Sequence, residues 1–425
     1  MSLGGLCARP REPEGSPSLT PRQPQNLALD SEQPEPYMYS TLNEEAQEIR
    51  LLTLLPSTFT SEVRLCLDIT PFTEFNVPKF EAVSYTWGSP ENLPKIFIGE
   101  TGRKTLAVTQ NLAEALPYFR YEDKPRVLWI DAICVNQQDL EERSQQVKRM
   151  ADIFSKAARV LVWLGPESDD SLLAIDCLEK VASKVKVNWE KLTMTATTDE
   201  AHWTDLAIEM PLENVQLHAI NHLIQRPWFE RLWIRQEVLL ASGDIQVMCG
   251  GRSILWEVIR TAVYWLFVKR PPWFAHVEVL EELLTRRELV YELCISRKQL
   301  LIDELVHMSK SCVCSDPRDK VYALLSLLFG NERLEIDPDY TKNVYDVYRH
   351  ATLSLIGSLG SLRVLNTVEC HEDLEGVPSW VPIVSKFLLT RPSVQIKEAT
   401  LTMRVSVEVF PKMPSNLSLF SGFAK

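Results

Sequence analysis

No phosphate-cradling glycine loop occurs in this 425-residue chain. There is no GxxxxGK(S/T), no GxGxxG and no GxSxG, so nucleoside triphosphate hydrolysis, a Rossmann dinucleotide site and α/β-hydrolase chemistry lose their usual support. No apolar stretch approaches the roughly 20 residues needed to cross a bilayer, and the first residues lack the charged start and apolar run of a signal peptide. A cytoplasmic protein is expected. Basic charge is also short: 45 Lys and Arg face 57 Asp and Glu, a net charge of −12. That balance argues against a general nucleic-acid-binding surface and supplies no attraction to anionic membranes. Metal motifs are missing too. His218 and His222 stand four apart with no HExxH or Cys/His cluster to complete a site, Cys312 and Cys314 lack CxxC spacing, and Cys134 has no evident His partner. The nine cysteines read as reduced thiols rather than a disulfide framework. No metal site and no required cofactor is expected.

What is present is ordinary for a soluble globular protein of two or three domains: 45% hydrophobic and 24% charged residues. Residues 1–45 form a Pro-rich leader, from Pro10 to Pro36, with too few large apolar side chains to offset the entropy of ordering them. IRLLTLLP and EVRLCLDI then read as two strands around a turn-prone PSTFTS, a hairpin at a domain edge. From Phe80 strands alternate with helices. FEAVSY, KIFIG, RVLWI and RVLVWLG read as strands, RVLWI being an unbroken apolar run of the kind a parallel strand buried on both faces shows.

Asn111 to Phe119 begins a helix interrupted by Pro117, and Leu140 to Ala158 carries Val147, Met150, Ala151, Phe154 and Ala157 on one apolar stripe. Residues 171–225 read as helical and polar. Arg226 to Ser242 reads as one helix, with Pro227 suited to its first turn and Gly243 to its end. Leu255 to Val268, Val277 to Lys310, Lys320 to Phe329 and Val344 to Ile356 predict a mainly α-helical region. GVPSWVPI and LTMRVSVEV predict a return to strands, after which the chain stops abruptly, as a truncated C-terminal segment would.

Three blocks carry a family resemblance: FEAVSYTWGSP (Phe80 to Pro90), the LWIDAICVNQ strand and loop within Val127 to Gly165, and RPWFERLWIRQEVLLA (Arg226 to Ala241). In this order the chain resembles the fungal heterokaryon incompatibility (HET) domain proteins. The HET domain is similar to the TIR domain, and the likeness implies an α/β fold: a TIR-like, flavodoxin-like parallel sheet with flanking helices, followed by a mainly α-helical region. The implied segments are a leader at 1–45, a HET domain at 46–242, a helical region at 243–360 and a mixed, strand-containing segment at 361–425. The resemblance also implies an effector of non-self recognition and programmed cell death in a fungus, working through self-association and other incompatibility proteins.

The same likeness marks candidate site residues. Trp233 and Glu237 keep the spacing of a TIR segment in which a Trp precedes a Glu by four residues, and on a helix both side chains would face one cleft. In NAD-cleaving TIR enzymes the corresponding Glu is catalytic, which makes Glu237 the candidate catalytic residue and NAD the candidate substrate. The plain alternative is a surface ion pair with Arg231 or Arg235 worth under about 1 kcal/mol. Asp131, Asn136 and Gln137 follow a strand, where open α/β sheets bind ligands; a turn closed by Asp131 and Asn136 on local amides fits equally. Ser84, Tyr85, Trp87 and Gly88 occupy the loop after the first strand of the alternation. Trp87 would stack on a planar ring or simply pack, and Gly88 permits a turn. Enzyme and non-enzymatic interaction module both remain open here.

Overall fold

Strands buried on both faces read as unbroken apolar runs, and such runs lie at the centre of the sheet in the computed structural model. The structure describes residues 34–269, 289–295, 312–328 and 336–360, with Met1, Leu301, Ser309, Leu334 and Leu362 as single positions. The expected leader over residues 2–33, most of the Val277 to Lys310 helix, and the strands GVPSWVPI and LTMRVSVEV lie outside them.

Ten strands form one sheet among the described residues. They are β1 (Glu35–Pro36), β2 (Glu48–Leu54), β3 (Arg64–Pro71), β4 (Glu81–Tyr85), β5 (Lys95–Ile98), β6 (Lys104–Ala107), β7 (Arg126–Trp129), β8 (Arg159–Trp163), β11 (Asp244–Cys249) and β12 (Arg252–Leu255); β9 (Val185–Asn188) and β10 (Thr193–Ala196) pair separately. The order is β1-β6-β5-β3-β2-β7-β4-β8-β11-β12. Its centre, β7-β4-β8-β11, is parallel. Ser84 stands opposite Val162 and Tyr85 opposite Trp163, so the carboxyl ends of β4 and β8 lie level.

The β2–β3 pair is not at an edge, as its sequence suggested. β2 also pairs antiparallel with β7, and β3 parallel with β5. The reason lies in β2 itself: Ile49 to Leu52 are all buried, so the strand needs neighbours and cover on both sides. Arg50, 1% exposed, ties β2 to the chain just past β7 by donating to the Cys134 carbonyl at 3.1 Å and to both oxygens of Glu142.

Helix α1 (Gln110–Phe119) runs through Pro117 and buries Leu112, Ala115, Leu116 and Phe119, one stripe at helical spacing. The short α2 (Asp131–Cys134) comes directly after β7. In α3 (Leu140–Lys156), Asp139 caps the first turn by accepting from the Glu141 and Glu142 amides at 3.1 Å. Its buried face is Gln146, Met150, Ile153 and Phe154, turned slightly from the expected stripe. Helices α4 (Ser171–Lys184) and α5 (Asn214–Ile224) pack on each other, and α7 (Trp256–Val268) packs on α4. Between α4 and α5 the expected helix gives way to the β9–β10 hairpin, where Val185 and Val187 alternate with exposed Lys186 and Asn188.

The segment Arg226 to Ser242 is not one helix. A 3₁₀ turn over Pro227–Glu230 stops, and α6 (Ile234–Leu239) starts afresh. The chain breaks because Arg231 and Leu232 pair with a distant segment: the Leu232 amide donates to the Val313 carbonyl at 2.9 Å, and the Val313 amide to the Glu230 carbonyl at 2.6 Å. Nor does Gly243 end α6. A Cβ there would stand 2.4 Å from the Ala158 carbonyl oxygen, so glycine permits the close approach that starts β11.

Of the helix expected over Lys320 to Phe329, the described residues form only a helical turn, Asp319–Tyr322, and a 3₁₀ turn, Leu325–Leu327. The helix Val344–Leu359 closes the described chain. A small core of Tyr322, Ile336, Tyr340, Val347, Tyr348 and Ala351 packs against Val147 and Trp233. No helix among the described residues is long and apolar enough to cross a membrane.

Candidate functional site

The carboxyl ends of β4 and β7 receive the α6 segment, and polar side chains from all three meet there. Ser84, 1% exposed, lies one residue before the end of β4. Its hydroxyl accepts from the indole of the buried Trp228 at 2.7 Å and donates to Glu237 Oε2. Arg231 closes the other side with a two-pronged contact, its two terminal nitrogens at 3.2 Å from Oε2 and Oε1. Glu237 is 2% exposed, so the surface ion pair admitted by its sequence context does not form. Burial of a charge at this depth requires such partners.

Asp131 comes two residues after β7 and accepts from the Trp87 indole at 2.9 Å and the Ala132 amide at 2.7 Å. Trp87 thereby ties the loop after β4 to the loop after β7. Burial pushes the Asp131 carboxyl up to about 6, with the nearby Arg231 pulling it down and Glu237 pushing it up. Part of Asp131 and Trp87 stays open to solvent, unlike Ser84. Tyr85, also 1% exposed, is raised well above the ordinary phenol by burial and then by Asp131 and Glu237. Its hydroxyl has no hydrogen-bond partner among the described residues.

Asn136 stays apart from the carboxylates. Its side-chain oxygen accepts from the Gln138 amide at 3.3 Å and its own amide donates to Glu142 at 2.7 Å, which is the local turn its sequence allowed. Gln137 donates to the Asp131 carbonyl at 2.9 Å and steadies the same turn. Trp233 also turns away: its indole donates to Asp319 at 3.0 Å. The indole that serves the Glu237 cluster is that of Trp228. Gly88 sits in the left-handed region with φ +80°, where a Cβ would press on Asn111 at 2.9 Å, so it permits a turn.

Trp228 is the site member that sequence reasoning passed over, and Arg231, read there only as a partner in a surface ion pair, closes the buried site instead. They lie nine and six residues before Glu237, spacings that match no helix face, so periodicity carries no sign of them. His222 bonds Asp170 away from this cluster, and no group of three or more His, Cys, Asp or Glu among the described residues could hold a metal.

Residues 80–237 match the family model described as heterokaryon incompatibility protein (HET). The chain is also similar to heterokaryon incompatibility protein 6, OR allele, of Neurospora crassa, 28% identical over 409 residues that cover 80% of this chain and 58% of that protein. The chain thus spans a little over half the length of that relative. No solved structure matches. The matched span opens at the residue before β4 and closes on Glu237, enclosing every member of the cluster.

Proposed function

This chain is a heterokaryon incompatibility domain protein, and on that premise we propose that it is a cytoplasmic effector of fungal non-self recognition and programmed cell death that hydrolyses NAD as TIR-like enzymes do. The observation that carries the reading is the meeting of two carboxyl groups, Glu237 and Asp131, at the carboxyl ends of parallel strands beside the Tyr85 hydroxyl, which has no partner among the described residues. Open α/β sheets bind ligands at that end. The central order β7-β4-β8-β11 runs second, first, third, fourth along the chain, a flavodoxin-like order that supports the TIR-like reading.

In this chemistry the electron pair of the nicotinamide–ribose bond leaves with nicotinamide, which departs neutral, and positive charge builds on the sugar. A fixed carboxylate, Glu237, stabilises that charge. Water then adds to the sugar carbon, and Asp131, ionised above about pH 6, takes its proton. Arg231 neutralises Glu237 in the arrangement described, so the working state has Arg231 withdrawn. Self-association, together with other incompatibility proteins, is the event that would withdraw it, and it keeps the lone copy silent.

The saturation of Glu237 by Ser84 and Arg231 favours a second reading, a non-enzymatic self-associating module in which Glu237 only holds the fold. NAD⁺ is measured in cells expressing the chain beside Glu237→Gln at matched protein level. Depletion and death with the wild type alone are expected. Death from both with NAD⁺ intact would overturn hydrolysis in favour of the module.

A further inference from the structure

Helix α6 is six residues long, too short to hold its own orientation. Glu237 meets the sheet, while its neighbours are gripped by chain beyond residue 288. Gln236 donates to Ser326 Oγ at 2.7 Å, and Arg235 to the Leu289 carbonyl at 3.2 Å. Trp233, at the N-terminal cap, donates to Asp319 Oδ2 at 3.0 Å. Asp319 is 5% exposed and its other oxygen accepts from the Tyr340 hydroxyl at 2.6 Å. Tyr340 is fixed in turn by α3: Arg143 lies 3.7 Å over its ring, and its amide donates to Ser144 Oγ at 3.1 Å. The Arg231 side is held from the next residue. Lys320 Nζ donates to the carbonyls of Ser309 and Cys312 at 2.6 and 2.7 Å, fixing the segment whose Val313 pairs with Arg231.

We infer that Asp319 and Lys320, which lie outside the 80–237 match, are positioning residues for the Arg231–Glu237 pair. Asp319 acts through Trp233 and sets the rotation of α6, hence the place of the Glu237 carboxylate. Lys320 acts through the segment around Val313 and sets where the Arg231 guanidinium arrives. Their catalytic consequence rests on the NAD reading above; the positioning itself rests on the contacts alone.

The full chain labelled with 5-fluorotryptophan tests this by fluorine NMR. The Trp228 resonance, assigned by its loss in Trp228→Phe, reports the Trp228–Ser84–Glu237 chain of hydrogen bonds. Asp319→Leu and Trp233→Phe break the same contact from opposite sides, so each is expected to displace the Trp228 line by more than its width, and the double variant to add nothing further. Lys320→Met is expected to displace it and Lys320→Arg to restore it. Trp233→Phe alone decides the Asp319 arm if Asp319→Leu fails to fold. A Trp228 line that stays in place while melting temperature falls would overturn the inference, leaving Asp319 and Lys320 as packing groups. NAD⁺ turnover of the same chains, forced to self-associate through a fused oligomerising tag, separates the two ideas: a wild type silent in that assembled form sinks the NAD reading, and the fluorine result still decides positioning.

Discussion

Asp131 and Asp319 are two versions of one arrangement. Each is a buried carboxyl that accepts an indole N–H, from Trp87 at 2.9 Å and from Trp233 at 3.0 Å, and burial pushes each up to about 6. They differ in what else faces them. Asp131 lies beside a cation and a second carboxylate and keeps part of its surface open, whereas Asp319 is sealed by the Tyr340 hydroxyl, and its hydrogen bonds to Tyr340 and Trp233 act on it more than the charges of Asp316 and Arg143 do. A raised carboxyl is therefore no mark of a reacting site by itself. The neighbouring charge and the path to solvent make Asp131 a candidate acid or base and Asp319 a strut.

The two surroundings part most widely when the cation is removed. Arg231→Met leaves Glu237 buried without its charge partner, so stability by denaturant unfolding should fall by about 3–5 kcal/mol. Adding Glu237→Gln should return most of it. The fold around Asp319 would be untouched, which a steady Trp233 fluorine line would record.

Titration tests next what the pair shares. Both carboxyls bind a proton more tightly folded than unfolded, so protonation stabilises the fold below about pH 4 and that contribution is lost as pH rises through about 6. Asn carries no such penalty. Beyond a constant offset from weakened hydrogen bonds, the stability of Asp319→Asn relative to wild type should rise between pH 4 and 7, by up to about 3 kcal/mol. Asp131→Asn should show the same sign and a similar amplitude, because both carboxyls are pushed up to about 6. Unfolding curves at stepped pH check both, and a flat difference for Asp319 would refute the account of its burial.

The smallest effect isolates the indole. Trp87→Phe removes one hydrogen bond from Asp131 at a cost of about 1 kcal/mol and should raise the Asp131 titration, since that bond favours the charged form. Carbon NMR of the labelled Asp131 carboxyl reads the shift directly.

Much of the scaffold is legible in the chain itself. FEAVSY, RVLWI and RVLVW announce parallel strands because a strand covered on both faces needs apolar side chains at nearly every position. Ser84, Asp131 and Glu237 are visible through their blocks and through the rule that strand ends bind ligands. Their meeting is not: Ser84 and Glu237 stand 153 residues apart, and no local pattern encodes that contact. The exchange of Trp233 for Trp228 has a plain cause. Trp233 and Glu237 do share one helical turn, the Glu237 amide donating to the Trp233 carbonyl at 3.1 Å, but Asp319 draws the Trp233 indole away, and the break at Arg231 and Leu232 lets Trp228 reach Ser84 instead.

The alternation of strands and helices, the acidic balance and the blocks that mark the HET domain are all written in the sequence, because periodicity, charge and motif spacing are local properties of a chain. The folded molecule alone settles that Glu237 is buried under Arg231, that Trp228 serves it, and that Asp319 and Lys320 reach the same segment from outside the matched span. Each of those facts is a contact made by the fold, and it exists only once the sheet has brought its strand ends together and the later chain has packed against them.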